Sequence, residues 1–558
     1  MKKWITLLAG IYLFSATLLA APVPAADPIV LVPGETAIVR VYYPSQKTGN
    51  KAIISFEPQL LETNYGKGYH VMKVTQEDID RLTAAGLRVE RDDTWTLTQP
   101  EALDGAEMEA DDEGIPRYPC YRTVEETFAS AEKMTKKYKR LARWEDVGDS
   151  WVKTDSLGLD GFDMRVLVLT NQKISGDKPD LFITAAMHAR EYATAELVTR
   201  FAEYLVENYG TDADVTWILD HHEIHLLLQT NPDGRKIAED HTFWRKNTNA
   251  TYCEADYDSR GADLNRNFPF GWNCCNGSSD YECDSTYRGS DPASEPEIDA
   301  VEDYMEKIFP DQRVDDWISP APDDATGIYI DVHSYGKLVL WPWGSTADPA
   351  PNASQLQTLG RKFAYWNGYS PEQAIGLYPT DGTSDEHAYG HLGVASYCFE
   401  IGTTFFQPCN TFESFVLPDN LPALLYAAKV VRTPYITPSG PDATDVALNL
   451  DTVIPGSLVT LTATIDDTRY KRASGNEEQE PSQIIAAAEY YIDIPPWNGG
   501  MATSMQPVDG AFDDTVEFVS GIIDTMNIKL GKHIVFVRGQ DADGNWGAFS
   551  AAFLNIVR

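Results

Sequence analysis

The stretch Leu181-Phe182-Ile183-Thr184-Ala185-Ala186 is an apolar run of strand length, and it turns through Met187-His188-Ala189-Arg190-Glu191 directly into an Ala/Glu/Leu pattern of helical character. A short apolar run feeding a helix marks a strand buried on both faces, the arrangement of a sheet covered by helices. At the corner itself His188 and Glu191 offer an imidazole and a carboxylate from one turn. That pair suits a borderline cation such as zinc, which takes N and O ligands at roughly 2.0–2.2 Å and keeps a position open in catalytic sites. A third ligand has to come from elsewhere. Ile328-Tyr329-Ile330-Asp331-Val332-His333 reads as a second buried strand, and His333 at its end would complete a set of two histidines and one glutamate. A lone His-x-x-Glu occurs by chance, and a histidine beside an apolar run is ordinarily a hydrogen-bonded core residue, so the metal reading rests on its company.

That company is specific. Between the ligands lie Asn231-Pro232-Asp233-Gly234, Trp244-Arg245-Lys246-Asn247 and Asp263-Leu264-Asn265-Arg266-Asn267, and after His333 come Tyr378 and Phe399-Glu400-Ile401-Gly402. Taken in this order, from about Tyr118 to about Pro434, the motifs resemble the zinc metallocarboxypeptidases of the carboxypeptidase A, B and T type. The resemblance implies an α/β fold, a mixed, mainly parallel eight-stranded sheet flanked by helices, with one Zn2+ at the strand ends. It implies hydrolysis of the C-terminal residue of peptides and proteins. Zinc lowers the pKa of a bound water to about 7, and a nearby carboxylate, by resemblance Glu400, takes the proton and passes it to the leaving amine, a contribution of roughly 10²–10⁴-fold. Arg245 matches the arginine aimed at the developing oxyanion. Asn265, Arg266 and Tyr378 match the clamp on the substrate carboxylate, which a guanidinium fork grips bidentately. Asp263 matches the carboxylate that orients the first zinc histidine.

Counting from Tyr378, the pocket position that is apolar in carboxypeptidases A and acidic in carboxypeptidases B falls on Asp385. Asp381 matches an aspartate of carboxypeptidase T-like pockets, which accept basic and apolar side chains, so a basic or dual preference is expected. A peptidoglycan amidase or endopeptidase on the same fold would use the same zinc and glutamate, with less need for Asn265, Arg266 and Tyr378 together. A deacylase of small N-acyl amino acids fits poorly with peptide-sized apparatus, and a non-catalytic binding protein would be expected to lack Glu400 or a ligand.

At 558 residues the chain exceeds what one core usually holds. Met1-Lys2-Lys3-Trp4, an apolar run to about Ala20 and small residues at Ala20, Ala21, Ala25 and Ala26 read as a signal peptide over 1–26, and so predict export to the medium or periplasm. No other stretch is long and apolar enough to span a membrane. Residues 27–98 alternate strand-like runs (Ala37–Tyr43, Lys51–Phe56, Tyr69–Val74) with a helix near Gln76–Ala85, an α+β unit that by resemblance is a propeptide removed by an activating protease. Residues 99–116 form an acidic linker, with seven acids and no Lys or Arg between 98 and 114, a repelling and protease-accessible tether. The catalytic span is 117–436. From 437 to 558, runs such as Leu458–Thr464 and His533–Arg538 between Gly/Asp/Asn turns predict an immunoglobulin-like β-sandwich. Asp541-Ala542-Asp543-Gly544-Asn545 there reads as a hairpin turn rather than a calcium loop.

Seven cysteines all fall in the catalytic span, and in an exported protein they are expected to form disulfides. The resemblance pairs Cys283 with Cys253, and Cys398 could reach Cys409 across a short loop. A net charge of −39 argues against nucleic acid as a partner. A monomer is expected. Two histidine groups carry ordinary expectations: His221-His222-Glu223-Ile224-His225 as a strand entrance with 221, 223 and 225 on one face, and His387 and His391 as hydrogen-bonding loop residues.

Overall fold

The computed structural model describes residues 29–32, 35–44, 60–64, 68–92, 114–154, 160–253, 259–471 and 482–558. The expected signal peptide, the run Lys51–Phe56 and most of the acidic linker lie outside these residues. At the N-terminal end, β1 (Ala37–Tyr42), β2 (Leu60–Asn64), β3 (Tyr69–Val74) and β4 (Arg88–Arg91) form a sheet in the order β2-β3-β1-β4. Alternation along β1 buries Ala37, Val39 and Val41, and the helix Gln76–Ala84 covers them with Ile79 and Leu82. That helix starts on a capping box, in which the Thr75 side chain accepts from the Asp78 N–H and Asp78 accepts from the Thr75 N–H.

The central sheet has eight strands: β5 (Ala142–Asp149), β6 (Asp163–Leu169), β7 (Asp180–Ala185), β8 (Glu223–Leu227), β9 (Ile328–His333), β10 (Leu338–Trp341), β11 (Ser370–Gln373) and β12 (Ala395–Glu400). Their order is β11-β10-β12-β9-β7-β8-β6-β5, and the inner strands β12, β9, β7 and β8 are mutually parallel. Strand alternation divides the apolar side chains between two cores. One face sends Leu181, Ile183, Ile328, Ile330, Val332, Tyr397 and Phe399 against the helices Tyr192–Asn208, Ala353–Asn367 and Leu417–Val430. The other sends Val166, Val168, Phe182 and Tyr329 against Pro296–Ile308 and Ser384–Leu392. Both faces are thus covered, as the continuous apolar runs of β7 and β9 require.

The C-terminal residues form sheets of four and five strands. Val459, Leu461 and Ile465 from one sheet share a core with Ile485, Val535, Val537 and Leu554 from the other, the packing of a β-sandwich. Asp541–Asn545 is a turn, closed by the Asp541 N–H on Asn545 O and the Gly544 N–H on Asp541 O. The unit is joined to the helices of the central sheet by the buried Lys362, which donates to Asp442 Oδ1 at 3.1 Å and to Gly440 O.

Three sequence expectations are corrected. His221 ends the helix Ala213–His221, which Asp212 caps, so the strand begins only at Glu223 and His221 does not share a face with Glu223 and His225. His387 and His391 lie on the helix Ser384–Leu392 rather than in a loop. Cys409 pairs with Cys120, bracketing the central sheet, while Cys398 is a buried free thiol inside β12. Cys253 does pair with Cys283, and Cys274 with its neighbour Cys275.

Candidate active site

In an open α/β sheet, ligands bind beyond the carboxyl ends of the parallel strands, and that is where three adjacent strands deliver their chemistry. β9 ends on His333, β12 ends on Glu400 directly alongside it in register, and β7 runs into the corner that carries His188 and Glu191. The corner is tight: Ala186 sits at a φ of 56°, and its N–H is held by Thr194 Oγ1 at 3.0 Å. A left-handed non-glycine residue is uncommon and is characteristic of functional turns. Glu191 occupies the N-cap of the following helix without capping it, which leaves its carboxylate for other partners.

Those partners are the two histidines. His188 Nδ1 stands 2.9 Å from Glu191 Oε1 and 3.0 Å from His333 Nδ1, and His333 Nδ1 is 3.2 Å from Glu191 Oε2. The outer nitrogens are occupied on the far side: His188 Nε2 meets Asp263 Oδ1 at 3.0 Å, and His333 Nε2 meets Asp331 Oδ2 at 2.8 Å. Carboxylates at Nε2 favour the ring protons there, which turns both Nδ1 atoms toward one point, the donor arrangement of a metal site. Ligands of a tetrahedral zinc stand roughly 3.3 Å apart, close to the spacings seen among these donors. The donor set therefore fits zinc.

Asp331 is the residue that sequence reasoning missed. Its carboxylate is fully buried and also accepts from Thr184 Oγ1 at 2.8 Å and Ser384 Oγ at 2.6 Å. The signal was present, since Asp331 lies two residues before His333 and so shares its strand face.

Asp263 does two jobs at once. Besides holding His188 and the Asn265 N–H through Oδ1, it accepts through Oδ2 from Arg245 Nη2 at 2.9 Å and from Nε at 3.2 Å. Arg245 Nη1 faces His188 Nδ1 at 3.3 Å, so its guanidinium borders the donor cluster. Burial opposes ionisation of Asp263, but Arg245, Arg266 and His188 hold it well below the usual carboxylate range. Glu191 is likewise depressed: burial works against it and the flanking His188 and His333 outweigh burial. Glu400 behaves in the opposite way. Burial raises its carboxyl to about 7, with His333 pulling down and Glu191 pushing further up. Two carboxylates in one cleft are thereby separated, one permanently ionised and one poised near neutrality, the pattern of a ligand beside a general base.

The remaining predicted residues gather around this centre. Arg266 donates from Nη1 to Asn265 O at 2.6 Å and from Nε to Gly277 O at 3.2 Å, and its guanidinium carbon lies 5.9 Å from the centre of the Tyr378 ring. Asn265 accepts the Ser384 N–H at 2.9 Å and approaches His333 Nε2 at 3.2 Å. Tyr378 packs against the hydrophobic core of the N-terminal sheet. Asp385 is buried on the helix Ser384–Leu392, and its Oδ2 has no hydrogen-bond partner among the described residues. Asp381 departs from expectation: rather than offering a free acid to a pocket, its carboxylate is consumed by the N–H groups of Cys275 and Gly277 and by the Ser278 hydroxyl.

The sequence signature of the family described as zinc carboxypeptidase matches residues 128–420, more than half of the chain. The chain belongs to the zinc carboxypeptidase family. Among its relatives, the zinc carboxypeptidase of Saccharothrix mutabilis subsp. capreolus is 30% identical over 334 residues, covering 57% of this chain and 71% of that protein. Carboxypeptidase B of Astacus astacus is 30% identical over 312 residues, 54% of this chain and 91% of that one. The fold is similar to that of carboxypeptidase A from Helicoverpa armigera, with a TM-score of 0.56 at 20% identity over 70% of this chain and 97% of that chain. This zinc carboxypeptidase is accordingly a metallohydrolase of peptides whose cofactor is Zn2+. Among the described residues no helix is long and apolar enough to cross a membrane.

Proposed function

We propose that this metallocarboxypeptidase is exported and removes C-terminal residues, with a preference for Lys or Arg, using His188, Glu191 and His333 as zinc ligands and Glu400 as general base. The observation that carries this reading is the convergence of both Nδ1 atoms and the Glu191 carboxylate on one point, with Glu400 in register beside His333. Zinc, when bound, supplies Lewis acidity that polarises a carbonyl and makes water a stronger acid. Glu400, with its carboxyl near 7, accepts a proton from the attacking water and returns it to the leaving amine. Arg245, fixed by Asp263, donates to the oxyanion as it develops. Arg266, with Asn265 and Tyr378, binds the terminal carboxylate; Nη2 of Arg266 makes no hydrogen bond to the described residues, which leaves it for that contact.

The buried, unpartnered Oδ2 of Asp385 supports recognition of a cationic side chain, because a desolvated carboxylate gains most from an opposite charge. We also propose the domain division 1–26 signal peptide, 27–98 propeptide, 99–116 linker, 117–436 catalytic unit and 437–558 accessory unit. The packing of Tyr378 into the N-terminal core supports the propeptide reading, since a side chain held there is not free to close on a substrate. An activating protease would release it.

The test is residue release from matched peptides ending in Arg, Lys, Phe, Leu or Glu, by enzyme cleaved in the linker, with and without a zinc chelator. Chelator-sensitive release of Arg and Lys supports Asp385 as the selector. Equal release of Phe and Leu would remove that role, and no release of any residue would remove the exopeptidase assignment itself.

A further inference from the structure

Arg266 is held by a loop whose construction is unusual. Its Nε donates to the carbonyl of Gly277, and the segment leading there contains the disulfide between the adjacent residues Cys274 and Cys275. Asn273 and Asn276, which flank this disulfide, both take left-handed backbone, at φ 55° and 59°. The loop is then fastened to a distant part of the chain by one carboxylate. Asp381 Oδ2 accepts the Cys275 N–H at 3.1 Å and the Gly277 N–H at 2.9 Å, and Oδ1 accepts the Ser278 hydroxyl. The approach is so close that a Cβ on Gly277 would lie 2.2 Å from the Thr380 carbonyl carbon, which no side chain at 277 could relieve.

Asp381 also belongs to the segment that starts with Tyr378. Gly382 accepts the Phe268 N–H at 3.0 Å, and the Ser384 N–H donates to Asn265 at 2.9 Å. The segment 378–384 is therefore stitched to 265–268 at its far end and, through Asp381 and the Cys274–Cys275 loop, to Arg266 itself. A cross-link between neighbours closes almost no chain, so its effect on the unfolded state is small beside that of Cys120–Cys409, which spans 289 residues. Its consequence is local: it restricts the backbone that aims Gly277 O at Arg266.

We infer that Asp381 and the Cys274–Cys275 disulfide are positioning residues that set the guanidinium of Arg266 for the terminal carboxylate of the substrate, and that Asp381 is not a contact for the substrate side chain. This rests on Arg266 being the carboxylate clamp, as proposed above. Asp381 is fully buried and three of the roughly four acceptor sites of its carboxylate are taken by the loop, so each donor is a fixed point of that loop and little of the acid is presented to a basic side chain.

The test compares Asp381→Asn, the double variant Cys274→Ser/Cys275→Ser and Arg266→Ala with the unaltered active zinc holoenzyme, on a peptide ending in a free carboxylate and on its C-terminal amide. The expected result is a KM for the free-acid peptide raised about tenfold or more by Asp381→Asn and by the double variant, the scale on which small misplacements of a binding group are felt. kcat, zinc content and the KM for the amide should stay within about twofold, and the preference for Arg over Leu at the C-terminus should be unchanged. If Arg266→Ala lowers the acid-over-amide preference while the other two leave KM unaltered, the clamp stands and the positioning inference falls. If Arg266→Ala leaves that preference intact, the clamp reading falls and takes the inference with it. A loss of Arg preference in Asp381→Asn, or equal losses on acid and amide, overturns the inference in favour of a side-chain contact or a general structural role. Should the double variant fold poorly, Asp381→Asn still decides, and a non-reduced digest checks that Cys274 and Cys275 are linked in the unaltered protein.

Discussion

The central sheet carries a three-donor His/carboxylate cluster at each end of its parallel strands. At the carboxyl end His188, Glu191 and His333 converge, and at the amino end of β7 and β8 Asp180, Glu223 and His225 converge within the same 4.8 Å. Both sets mix imidazole and carboxylate, two histidines and a glutamate at one end, one histidine with an aspartate and a glutamate at the other; the surroundings differ more. At the carboxyl end every donor is buried, the Nε2 atoms rest on Asp263 and Asp331, and the neighbouring Arg245 is anchored on Asp263 through Nη2 and Nε. At the amino end Arg143 already occupies Glu223 at 2.8 Å, His225 Nδ1 faces the Tyr304 hydroxyl at 2.8 Å and its Nε2 faces Asp180 at 2.9 Å. One cluster turns its donor atoms toward a common point, while the other has its charge answered by Arg143 within the chain. Ligand spacing alone does not make a metal site; the carboxylates behind the ligands do.

The widest separation between the two clusters should appear on deleting a histidine. His188→Ala or His333→Ala is expected to abolish zinc retention and turnover together, read by metal analysis and peptide hydrolysis, whereas His225→Ala should keep the zinc content of the unaltered enzyme. A zinc lost from His225→Ala would break the comparison. Next, Glu400→Gln should hold zinc and lose about 10²–10⁴-fold in kcat; substantial activity in that variant would mean another base. Asp331→Asn sharpens the contrast in the supporting residues, with a loss of about 10–100-fold in zinc affinity or activity. Arg143→Ala, its counterpart at the other end, should alter neither.

The pH profile separates the clusters more gently. Burial raises Glu400 to about 7, and only its ionised form accepts a proton, so kcat/KM should climb as pH rises through about 7 and fall about tenfold per unit on the acid side. Asp180 is also raised, by burial first and against the pull of His225, but its protonation should leave no inflection in activity. The smallest effect is on stability. His225→Ala should cost about 1–3 kcal/mol in denaturant unfolding, the penalty of orphaning buried hydrogen-bonding groups, and a larger loss would make the amino-end cluster a structural keystone.

Much of this was legible beforehand because the sheet is buried on both faces. Continuous apolar runs announce such strands, which is why β7 and β9 and the corner after β7 could be read directly. β3 matches its predicted bounds, Tyr69–Val74, for a related reason, a clear strand pattern leading into a capped helix. What escaped were relations between distant segments. His221 reads as strand from its strand-like neighbours, while the helix that claims it is set by the cap at Asp212. The partner of Cys409 lies 289 residues away, and a short loop to Cys398 looked cheaper in sequence. Asp381 resembled a pocket acid, and only its donors from residues 275–278 reveal a fastening.

By itself the sequence determined the chemistry on offer: which side chains can ligate, which carboxylate could serve as base, and that an α/β sheet would carry them, because residue type, local period and motif order are properties of the chain. Tertiary structure alone decided which donors stand together at each end of the sheet, which acid stands behind His333, and which aspartate fastens the loop of residues 275–278. Those outcomes depend on which hydrogen-bond partners arrive from strands and loops far apart in the chain, and no local pattern encodes their arrival.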